Sequence, residues 1–432
     1  MPIKVVPAVL EGVIEAPPSK SFAHRYLILA SLKNGRTLLE NVGESDDVKA
    51  TVASLNALGA RITLQNGNAT VEGIPFCGNV GFDIINCNNT SGEYIDLPVN
   101  ESGSTYRFLI VLSAVLGKSV RFLTKGKLSE RPNDALLTLL RAHGIAFDEE
   151  SKTQSGILLG DIFEIDGSMS SQYITAFMLS LPFLKRKTEL VIKGNAVSKD
   201  YILITEECLK EAKIRFEKTD RGYIFFGSDE YSLPSLLKIE GDWSASSFFL
   251  ASSFLSNGKV GVKGLNLSSV QGDRAVLEVF KNIGADVVIK NDTVFISKQI
   301  SLKPVEVDGE NIIDSIPILS VVTAFTNGIS RFRNVERLVI KESNRLSAIL
   351  EFLKSAKIKA EYKNGVLQVY GGYPKCGVFN GYKDHRIVMS EAILASFASG
   401  GYSLISDKMA VAKSYPSFWS DFQKLGGRIS DV

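Results

Sequence analysis

The feature that most constrains how this chain can fold is a pattern of roughly seventy residues that recurs six times. Each copy reads as a short strand, a polar turn, an amphipathic helix, a small-residue turn and a second strand. The copies begin at Asn34, Gly117, Lys187, Asn257, Asn327 and Gly400. Successive starts are therefore 83, 70, 70, 70 and 73 residues apart. Such a unit is too long for the common solenoid repeats, so six of them predict two domains of three.

A second helix precedes each copy, and it differs from the first because it is apolar on nearly all sides. Two examples are ESGSTYRFLIVLSAVL, at residues 101–116, and DWSASSFFLASSFL, at residues 242–255. A helix that is apolar all round lies in a protein interior. We therefore predict an α/β fold of the α+β kind with two domains. Each domain is expected to be an inside-out α/β barrel in which three βαβαββ repeats surround buried parallel helices.

Proline and glycine mark the two places where the chain is predicted to cross between domains. Ala16-Pro17-Pro18 precedes the first buried helix, and Leu233-Pro234 with Gly241 lies between the third and fourth repeats. Proline stiffens such passages and glycine permits a hinge. We predict one domain from residues 1–17 with 238–432, holding repeats four to six, and another from 18–237. The active site is expected in the cleft between them.

Composition and charge argue against several classes of function. The chain has 49 Lys and Arg against 47 Asp and Glu, and this net charge of +2 favours neither nucleic acid nor an anionic membrane. The opening residues do not resemble a signal peptide, and the longest mostly apolar stretch, residues 174–184, is too short to span a bilayer. We expect a cytoplasmic monomer, because two interior bundles can bury enough area without a partner.

The cysteines and histidines do not form a metal-binding pattern. The 4 cysteines contain no CxxC pair, and the 3 histidines occur in no HxH or HExxH motif. Structural zinc is therefore not expected, and neither is a catalytic metal or an organic cofactor.

Several of the buried helices begin with residues suited to binding an anion. A helix N-terminus exposes unpaired N–H groups and a partial positive charge. The helix starts in question are Lys20-Ser21 with Arg25, Ser102-Gly103 with Arg107, Ser170-Ser171-Gln172, and Asp384-His385-Arg386. The helix dipole disfavours cations there by roughly 0.3–1 kcal/mol each, unless an anionic ligand is bound. For any single helix the alternative stays open that Ser and Asp act as N-caps and that the basic residues are solvated.

Basic residues also precede the amphipathic helices, in turns far apart in the sequence. They are Arg131, Arg345 and Lys413, to which the helix-start residue Arg386 is added. If these four side chains converge, they repel one another unless a multiply charged small anion joins them. The alternative is surface salt bridges with the neighbouring Glu130 or Glu342.

Seven short motifs recur in a specific order and spacing. They are PSKSFAHR from Pro18, ERP from Glu130, SMSSQ from Ser168, SKDY from Ser198, KESNR from Lys341, DHR from Asp384 and AKSYP from Ala412. Together they resemble the 3-phosphoshikimate 1-carboxyvinyltransferase (EPSP synthase) family of enolpyruvyl transferases, over essentially the whole chain. The resemblance implies two domains of three βαβαββ repeats that close over the substrates, which agrees with the repeat count.

The resemblance also implies a reaction and a set of substrate-binding residues. The enolpyruvyl group of phosphoenolpyruvate would pass to the 5-hydroxyl of shikimate 3-phosphate, with release of phosphate, in aromatic amino-acid biosynthesis. Shikimate 3-phosphate would be bound by Lys20, Ser21, Arg25, Ser170, Ser171, Gln172, Ser198, Tyr201, Asp314 and Lys341. Phosphoenolpyruvate would be bound by Lys20, Gly103, Arg131, Arg345, His385, Arg386 and Lys413.

The implied chemistry is addition followed by elimination through a tetrahedral intermediate, and it needs two proton transfers. We assign the hydroxyl proton to Asp314 and the methylene proton to Glu342, assisted by Lys20. The sequence departs from the family pattern in two places. Glu101-Ser102-Gly103-Ser104 stands where the family usually has Asn-Ala-Gly-Thr, and Asn344 stands where an aspartate is usual.

Three other functions remain as alternatives. An enolpyruvyl transferase for UDP-N-acetylglucosamine would share fold and chemistry, but such enzymes typically carry a loop cysteine, and none lies between Cys87 and Cys208. A non-catalytic anion-binding protein would have no need for both Asp314 and Glu342 beside an anionic ligand. An RNA-end-processing enzyme would need a basic RNA-binding face, which a net charge of +2 does not suggest.

Overall fold

A computed structural model describes residues 2–74, 94–227, 231–299 and 302–432. The chain divides into two compact units. The discontinuous unit comprises Met1–Ser19 and Glu240–Val432, and the continuous unit comprises Lys20–Ile239. The predicted crossings, after residues 17 and 237, lie two residues before those of the structure.

The continuous unit alternates buried and outer helices, and all elements are numbered along the whole chain. Its buried helices are α1 (Lys20–Leu32), α3 (Gly103–Val115) and α5 (Ser171–Ser180), and its outer helices are α2 (Asp46–Ala57), α4 (Asp134–Ala142) and α6 (Lys199–Glu211). Its strands are β3 (Arg36–Glu40), β4 (Arg61–Gln65), β5 (Asn68–Glu72), β6 (Ile95–Asn100), β7 (Val120–Thr124), β8 (Ile145–Asp148), β9 (Thr153–Gly156), β10 (Ile162–Asp166), β11 (Thr188–Lys193), β12 (Phe216–Thr219), β13 (Gly222–Phe225) and β14 (Leu236–Lys238).

The discontinuous unit has the same alternation. Its buried helices are α7 (Trp243–Leu255), α9 (Ile316–Ala324) and α11 (His385–Phe397), and its outer helices are α8 (Val276–Ile283), α10 (Arg345–Ser355) and α12 (Phe418–Lys424). Its strands are β1 (Ile3–Val6), β2 (Gly12–Glu15), β15 (Val260–Lys263), β16 (Ala285–Lys290), β17 (Thr293–Lys298), β18 (Glu306–Asp308), β19 (Ile329–Arg333), β20 (Ala360–Lys363), β21 (Val366–Tyr370), β22 (Val378–Phe379), β23 (Ser403–Ile405) and β24 (Arg428–Asp431).

Within the described residues the strands form six four-stranded sheets, three in each unit. The order β10-β11-β13-β12 is typical: β10 and β11 are parallel, and β11, β13 and β12 are successively antiparallel. A parallel pair requires a crossover helix, whereas a hairpin closes directly. The buried helix α5 makes the crossover from β10 to β11, and the outer helix α6 leads to the hairpin. This is the βαβαββ repeat that the sequence predicts, and the α/β fold class is confirmed.

Three sheets are completed by strands from other parts of the chain. The first repeat pairs β3 with β14, which follows the third repeat, and the fourth repeat pairs β15 with β2, near the N-terminus. In the sixth repeat β1 lies between β23 and β24, antiparallel to both. The segments that lead to and from each crossing therefore take part in the sheets of the unit to which they belong.

The interior of each unit is built from the apolar helices. Every residue of α7 is buried, including the large side chains of Trp243, Phe248, Phe249 and Phe254. In the discontinuous unit α7, α9 and α11 pack against one another, as α3 and α5 do in the continuous unit. Across the described ranges, no helix combines the length and apolar character that crossing a membrane requires.

One carboxyl group lies in this interior without an ion pair or a hydrogen bond. Glu391 on α11 is fully buried, and neither of its carboxyl oxygens has a hydrogen-bond partner in the described part of the chain. Burial raises its pKa well above the usual range, and the negative charges of Asp407, Glu351 and Asp384 act in the same direction. The folded protein therefore holds Glu391 protonated at neutral pH.

The sign of this shift predicts how Glu391 affects stability. The unfolded chain loses this proton above about pH 4.3, so rising pH lowers the free energy of unfolding, by up to ~1.4 kcal/mol per pH unit for this group. Glu391→Gln removes the ionisable group, so the variant should become progressively more stable than wild type from about pH 5 to pH 8. Urea unfolding followed by tryptophan fluorescence measures this, because Trp243 and Trp419 both lie in the discontinuous unit.

The matched control is Glu278→Gln, on the exposed side of α8. Glu278 is exposed and pairs with Lys281, so its replacement should leave the dependence of stability on pH unchanged. Parallel stability curves for wild type and Glu391→Gln across this pH range would contradict the assignment of a buried, neutral Glu391.

Candidate active site

In the continuous unit Arg25 ties together the N-terminal parts of three helices. The side chain is buried, and its Nε donates to Oγ1 of Thr205 on α6 at 2.9 Å. Its terminal nitrogens donate to the backbone oxygens of Ser21 on α1, at 2.7 Å, and Tyr201 on α6, at 2.9 Å, and to Oγ1 of Thr175 on α5, at 3.2 Å. Burial lowers the pKa of Arg25 to about 10, so the guanidinium stays charged at neutral pH. These four acceptors are all uncharged, which suits the neighbourhood of an anion.

The predicted serine cluster lies on two adjacent turns of the same unit. Ser170 caps α5, its Oγ accepting from the backbone N–H of Gln172 at 3.3 Å, and Ser171 is buried beside it. Ser198 is buried at the start of α6 in the left-handed conformation, with φ 49°. The two turns are joined, because the backbone N–H of residue 197 donates to the carbonyl of residue 167 at 3.1 Å. Gln172, Ser170, Ser171 and Ser198 are therefore brought to one region.

Two residues predicted for phosphoenolpyruvate, Gly103 and Arg131, are also in contact. A Cβ at Gly103 would lie 2.7 Å from Nη1 of Arg131, so a larger residue here would displace the guanidinium. Arg107, one turn into α3, donates to Oε1 of Gln172 at 2.5 Å and to the carbonyl of Pro132 at 3.1 Å. The start of α3, the start of α5 and the ERP turn are thereby linked.

Lys20 has a partner that sequence reasoning missed. Its Nζ lies 2.7 Å from Oδ2 of Asp47, in the first turn of α2. The carbonyl of Asp47 accepts from the hydroxyls of Thr51, at 3.3 Å, and Thr105 on α3, at 3.4 Å. The hydroxyls of Thr105 and Ser102, the N-cap of α3, are 2.6 Å apart. Asp47 therefore connects Lys20 to the start of α3.

In the discontinuous unit the predicted charged residues meet at Asp314, just ahead of α9. Its Oδ1 lies 2.7 Å from Nη1 of Arg345, 3.2 Å from Nζ of Lys341 and 3.7 Å from Nε of Arg386. The carbonyl of Asp314 also accepts from Nη1 of Arg386, at 3.1 Å. Residues from three separate parts of the sequence thus form one cluster, which we call the carboxylate–cation cluster together with Glu342 and Asp384.

Arg345 is the centre of this cluster, and it is fully buried. Besides Asp314, it donates from Nη2 to Glu342 at 2.7 Å and from Nε to Oδ2 of Asp384 at 2.8 Å. The repulsion that the sequence suggests between Arg345 and Arg386 is therefore offset by carboxylates of the same unit. The predicted alternative, a salt bridge between Arg345 and Glu342, is present, but it is not at the surface: the side chain of Arg345 is buried and that of Glu342 is 19% exposed.

Asp384 has a role that its N-cap position did not reveal. Its Oδ1 accepts from the backbone N–H of Arg386 at 2.9 Å, which caps α11, while Oδ2 accepts from Ser343 at 3.0 Å and from Arg345. The carboxylate is completely buried, so these hydrogen bonds are the compensation that burial of a charge requires. One residue thus fixes both the start of α11 and the guanidinium of Arg345.

The electrostatics keep the carboxylate of Asp314 ionised. Burial alone would raise the pKa of Asp314, but Lys341, Arg386 and Arg345 hold it well below the usual range. Burial likewise opposes the charge of Arg345, whereas Asp384, Glu342 and Asp314 raise its pKa above the usual value. Burial lowers the pKa of Lys341 despite the opposing effect of Asp314. Asp314 is therefore an anion at neutral pH and can accept hydrogen bonds.

Two further predicted residues of this unit, His385 and Lys413, lie on α11 or on a segment packed against it. His385 is buried at the start of α11, with Nδ1 3.8 Å from Oδ1 of Asp384. Lys413 is buried at the end of the 3-10 helix Lys408–Lys413, which packs against α11. Within the described residues, no group of three or more His, Cys, Asp or Glu side chains is arranged to hold a metal ion.

Each of the two departures from the family pattern has a contact within its own unit. Glu101 lies against Gly126: a Cβ there would be 1.7 Å from Oε1 of Glu101. Asn344 caps α10, where its side chain accepts from the backbone N–H of Ser347 at 3.0 Å. An amide performs this capping as well as a carboxylate does.

Comparison with known proteins identifies the family to which the chain belongs. The family model EPSP synthase (3-phosphoshikimate 1-carboxyvinyltransferase) matches residues 6–422. The chain belongs to the EPSP synthase family. Proteins named 3-phosphoshikimate 1-carboxyvinyltransferase from Clostridium novyi and Methanocaldococcus jannaschii are each 34% identical to it. The alignments cover 99% of this chain and 98% of the first relative, and 97% of both chains for the second.

Solved structures of EPSP synthases have the same fold. EPSP synthase from Acinetobacter baumannii superposes with a TM-score of 0.80 at 19% identity, covering 100% of both chains. The enolpyruvyl transferase NikO from Streptomyces tendae gives a TM-score of 0.78 at 15% identity, covering 100% of this chain and 99% of its own. Membership of the EPSP synthase family makes this protein an enzyme.

Proposed function

We propose that this enzyme transfers the enolpyruvyl group of phosphoenolpyruvate to the 5-hydroxyl of shikimate 3-phosphate, releasing phosphate. The observation that carries the proposal is the carboxylate–cation cluster in a member of the EPSP synthase family. It holds two carboxylates, Asp314 and Glu342, on the same buried guanidinium, Arg345. A binding protein for anions would be weakened by those carboxylates, whereas an enzyme that moves two protons needs them.

Shikimate 3-phosphate is assigned to the joined turns of the continuous unit. Ser170, Ser171, Gln172 and Ser198 offer hydroxyl, amide and backbone N–H donors at helix starts, which suits a phosphate. Arg25 adds a buried positive charge that is hydrogen-bonded to Ser21 and Tyr201. Lys341 and Asp314 are assigned to the hydroxyl side of this substrate.

Phosphoenolpyruvate carries a carboxylate and a phosphate, so it suits a set of arginine and lysine side chains. We assign it to Lys20, Gly103, Arg131, Arg345, His385, Arg386 and Lys413. The contact between Gly103 and Arg131 and the hydrogen bonds of Arg386 support the assignment within each unit. Since the assigned residues belong to both units, the proposal requires both units to act on the same substrate pair.

The proposed chemistry uses three side chains. The 5-hydroxyl oxygen attacks the substituted carbon of phosphoenolpyruvate while a proton is added to the methylene carbon, and the resulting tetrahedral intermediate then loses phosphate and a methyl proton. Asp314, an anion at neutral pH, accepts the hydroxyl proton. Glu342, assisted by Lys20, gives the proton to the methylene carbon and takes it back during elimination.

The decisive experiment measures phosphate release from phosphoenolpyruvate with and without an acceptor. We expect release with shikimate 3-phosphate and none with phosphoenolpyruvate alone. Release with UDP-N-acetylglucosamine instead would identify the other enolpyruvyl transferase activity. Binding of both anions without release under any of these conditions would favour the non-catalytic alternative.

We infer that the enzyme works as a cytoplasmic monomer. Each unit buries its own helical core, so neither unit needs a partner chain to bury its apolar residues. Sedimentation equilibrium at working concentration tests the oligomeric state, and a stable dimer would contradict it.

A further inference from the structure

Asp273 is a buried carboxyl group for which neither the repeats nor the motifs assign a role. It lies in the 3-10 helix Gly272–Ala275, immediately before α8, and only 6% of its surface is exposed. Its neighbours are not from its own segment. They come from the starts of the two buried helices α7 and α9.

The first of these neighbours is Ser315, the residue that follows Asp314. Its Oγ donates to Oδ1 of Asp273 at 2.5 Å, across 42 residues of sequence. Ser315 is fully buried and is the N-cap residue of α9. This hydrogen bond ties the residue that follows Asp314 to the segment before α8.

The second neighbour is Ser244, in the first turn of α7. Its hydroxyl hydrogen-bonds to Asp273, and its oxygen accepts from Nη1 of Arg386 at 2.7 Å. A serine hydroxyl has a single hydrogen. If that hydrogen is given to the Asp273 carboxylate, the oxygen lone pairs are left for Arg386, which fixes the direction of this contact.

We propose that Asp273 is a positioning residue for the reaction, because it orients Arg386 through Ser244 and the Asp314 segment through Ser315. The proposal rests on the proposed function, in which Arg386 binds phosphoenolpyruvate and Asp314 accepts the hydroxyl proton. Asp273 touches neither substrate. Through Ser244 it affects the binding of phosphoenolpyruvate, and through Ser315 it affects turnover.

The charge state of Asp273 adds a pH dependence that a merely structural residue would lack. Burial raises its pKa to about 6, while Arg386 on α11 lowers it and Asp314 raises it. The other groups that face the carboxyl are the hydroxyls of Ser244 and Ser315. Below about pH 6 the carboxyl is neutral and no longer complements Arg386, so wild type then resembles an Asp273→Asn variant.

The test compares Asp273→Asn, Ser244→Ala and Ser315→Ala with wild type. We expect Asp273→Asn to lower kcat/KM for phosphoenolpyruvate by about 10- to 100-fold at pH 7.5, as small displacements of positioned groups do. Ser244→Ala should raise KM for phosphoenolpyruvate by about tenfold with little change in kcat, the effect of losing one hydrogen bond to a charged group. Ser315→Ala should mainly lower kcat. The gap between wild type and Asp273→Asn should close below about pH 6.

The control is Glu391→Gln, which replaces another buried carboxyl group of the discontinuous unit, one that is already protonated. It should leave both kinetic constants unchanged, because Glu391 contacts none of the assigned residues through a hydrogen bond. Tryptophan fluorescence during urea unfolding shows whether each variant is folded. The two serine variants keep the test decisive if Asp273→Asn does not fold.

Binding of phosphoenolpyruvate, followed by tryptophan fluorescence, separates this inference from the proposed function. If wild type binds phosphoenolpyruvate but shows no turnover, and Asp273→Asn and Ser244→Ala weaken binding, the proposed function fails and the positioning of Arg386 stands. If wild type is active and the three variants match it in binding and in both kinetic constants at all pH values, the positioning role is refuted. If wild type neither binds nor turns over, both proposals fall.

Discussion

Replacing Arg345 with glutamine is expected to lower the free energy of unfolding of the discontinuous unit by about 3–5 kcal/mol. The guanidinium is fully buried and bonded to Asp314, Glu342 and Asp384, of which Asp384 is itself fully buried. Removing the cation takes this ion pair from Asp384 and Glu342, while Lys341 and Arg386 still face Asp314. Removal of one partner costs far more than the net contribution of a buried ion pair, because the desolvation penalty of the other remains.

Urea unfolding followed by tryptophan fluorescence measures this effect in the correct unit, because Trp243 and Trp419 are the only tryptophans. The matched control is Arg333→Gln, which removes an exposed partner of Glu306 at 3.1 Å and should cost less than about 1 kcal/mol. Arg345→Lys keeps the positive charge but not the planar guanidinium with its several donors. Its loss of unfolding free energy should lie between those of Arg345→Gln and Arg333→Gln. A loss for Arg345→Gln as small as that of the control would show that the cluster does not support the fold.

Asp314→Asn is expected to reduce kcat by about 10²- to 10⁴-fold, the usual contribution of a positioned acid or base. The amide keeps the shape of the side chain and its capacity to accept a hydrogen bond, but it cannot take the hydroxyl proton. The affinity for shikimate 3-phosphate should change much less than kcat. Steady-state kinetics with equilibrium binding of shikimate 3-phosphate separate the two effects.

The companion variant is Glu342→Gln, and the control is Asp286→Asn, on the exposed side of β16. Glu342→Gln should lower kcat to a similar degree, whereas the control should have wild-type kinetics. If Asp314→Asn and Glu342→Gln both retain near-normal turnover, neither carboxylate moves a proton in the reaction.

The pKa of Asp314 also fixes the sign of its contribution to stability. Its folded-state pKa is depressed, chiefly by Lys341, Arg386 and Arg345 working against burial. The stabilisation is therefore fully present above its unfolded pKa of about 3.9, and it is lost as the pH falls through the lower folded value. The activity of the enzyme at mildly acidic pH is then limited by groups other than Asp314.

The architecture could be predicted from the sequence because the buried and outer helices differ in the periodicity of their apolar residues. The helix at residues 103–115 is apolar all round and must be buried, whereas the helix at residues 276–283 is amphipathic and must lie outside. The order of the strands within each sheet was harder to predict from the sequence. β14 has three residues and β1 and β2 have four each, and strands so short are defined by the strands with which they pair.

The candidate site was predicted in its residue types but not in its pairings. The sequence placed Lys20 and Arg386 at helix starts and Arg345 in a turn before an outer helix, and the resemblance to EPSP synthases assigned a substrate to each. It did not indicate Asp47 beside Lys20, nor Asp384 across the guanidinium of Arg345. Carboxylates at helix starts are so common as caps and dipole partners that their presence there does not identify a distant partner.

The sequence by itself determined the repeat, the buried and outer helices, and the family, because hydrophobic periodicity and ordered motifs are local properties of the chain. Only the tertiary structure showed which charged residues pair with one another. It also showed that the carboxyl groups of Asp384 and Asp273 hydrogen-bond to Arg345 and Ser315. Asp273 reaches Ser315 across 42 residues and Arg345 reaches Asp384 across 39. Such contacts depend on how buried helices pack against one another, and burial is what makes each hydrogen bond and ion pair there obligatory.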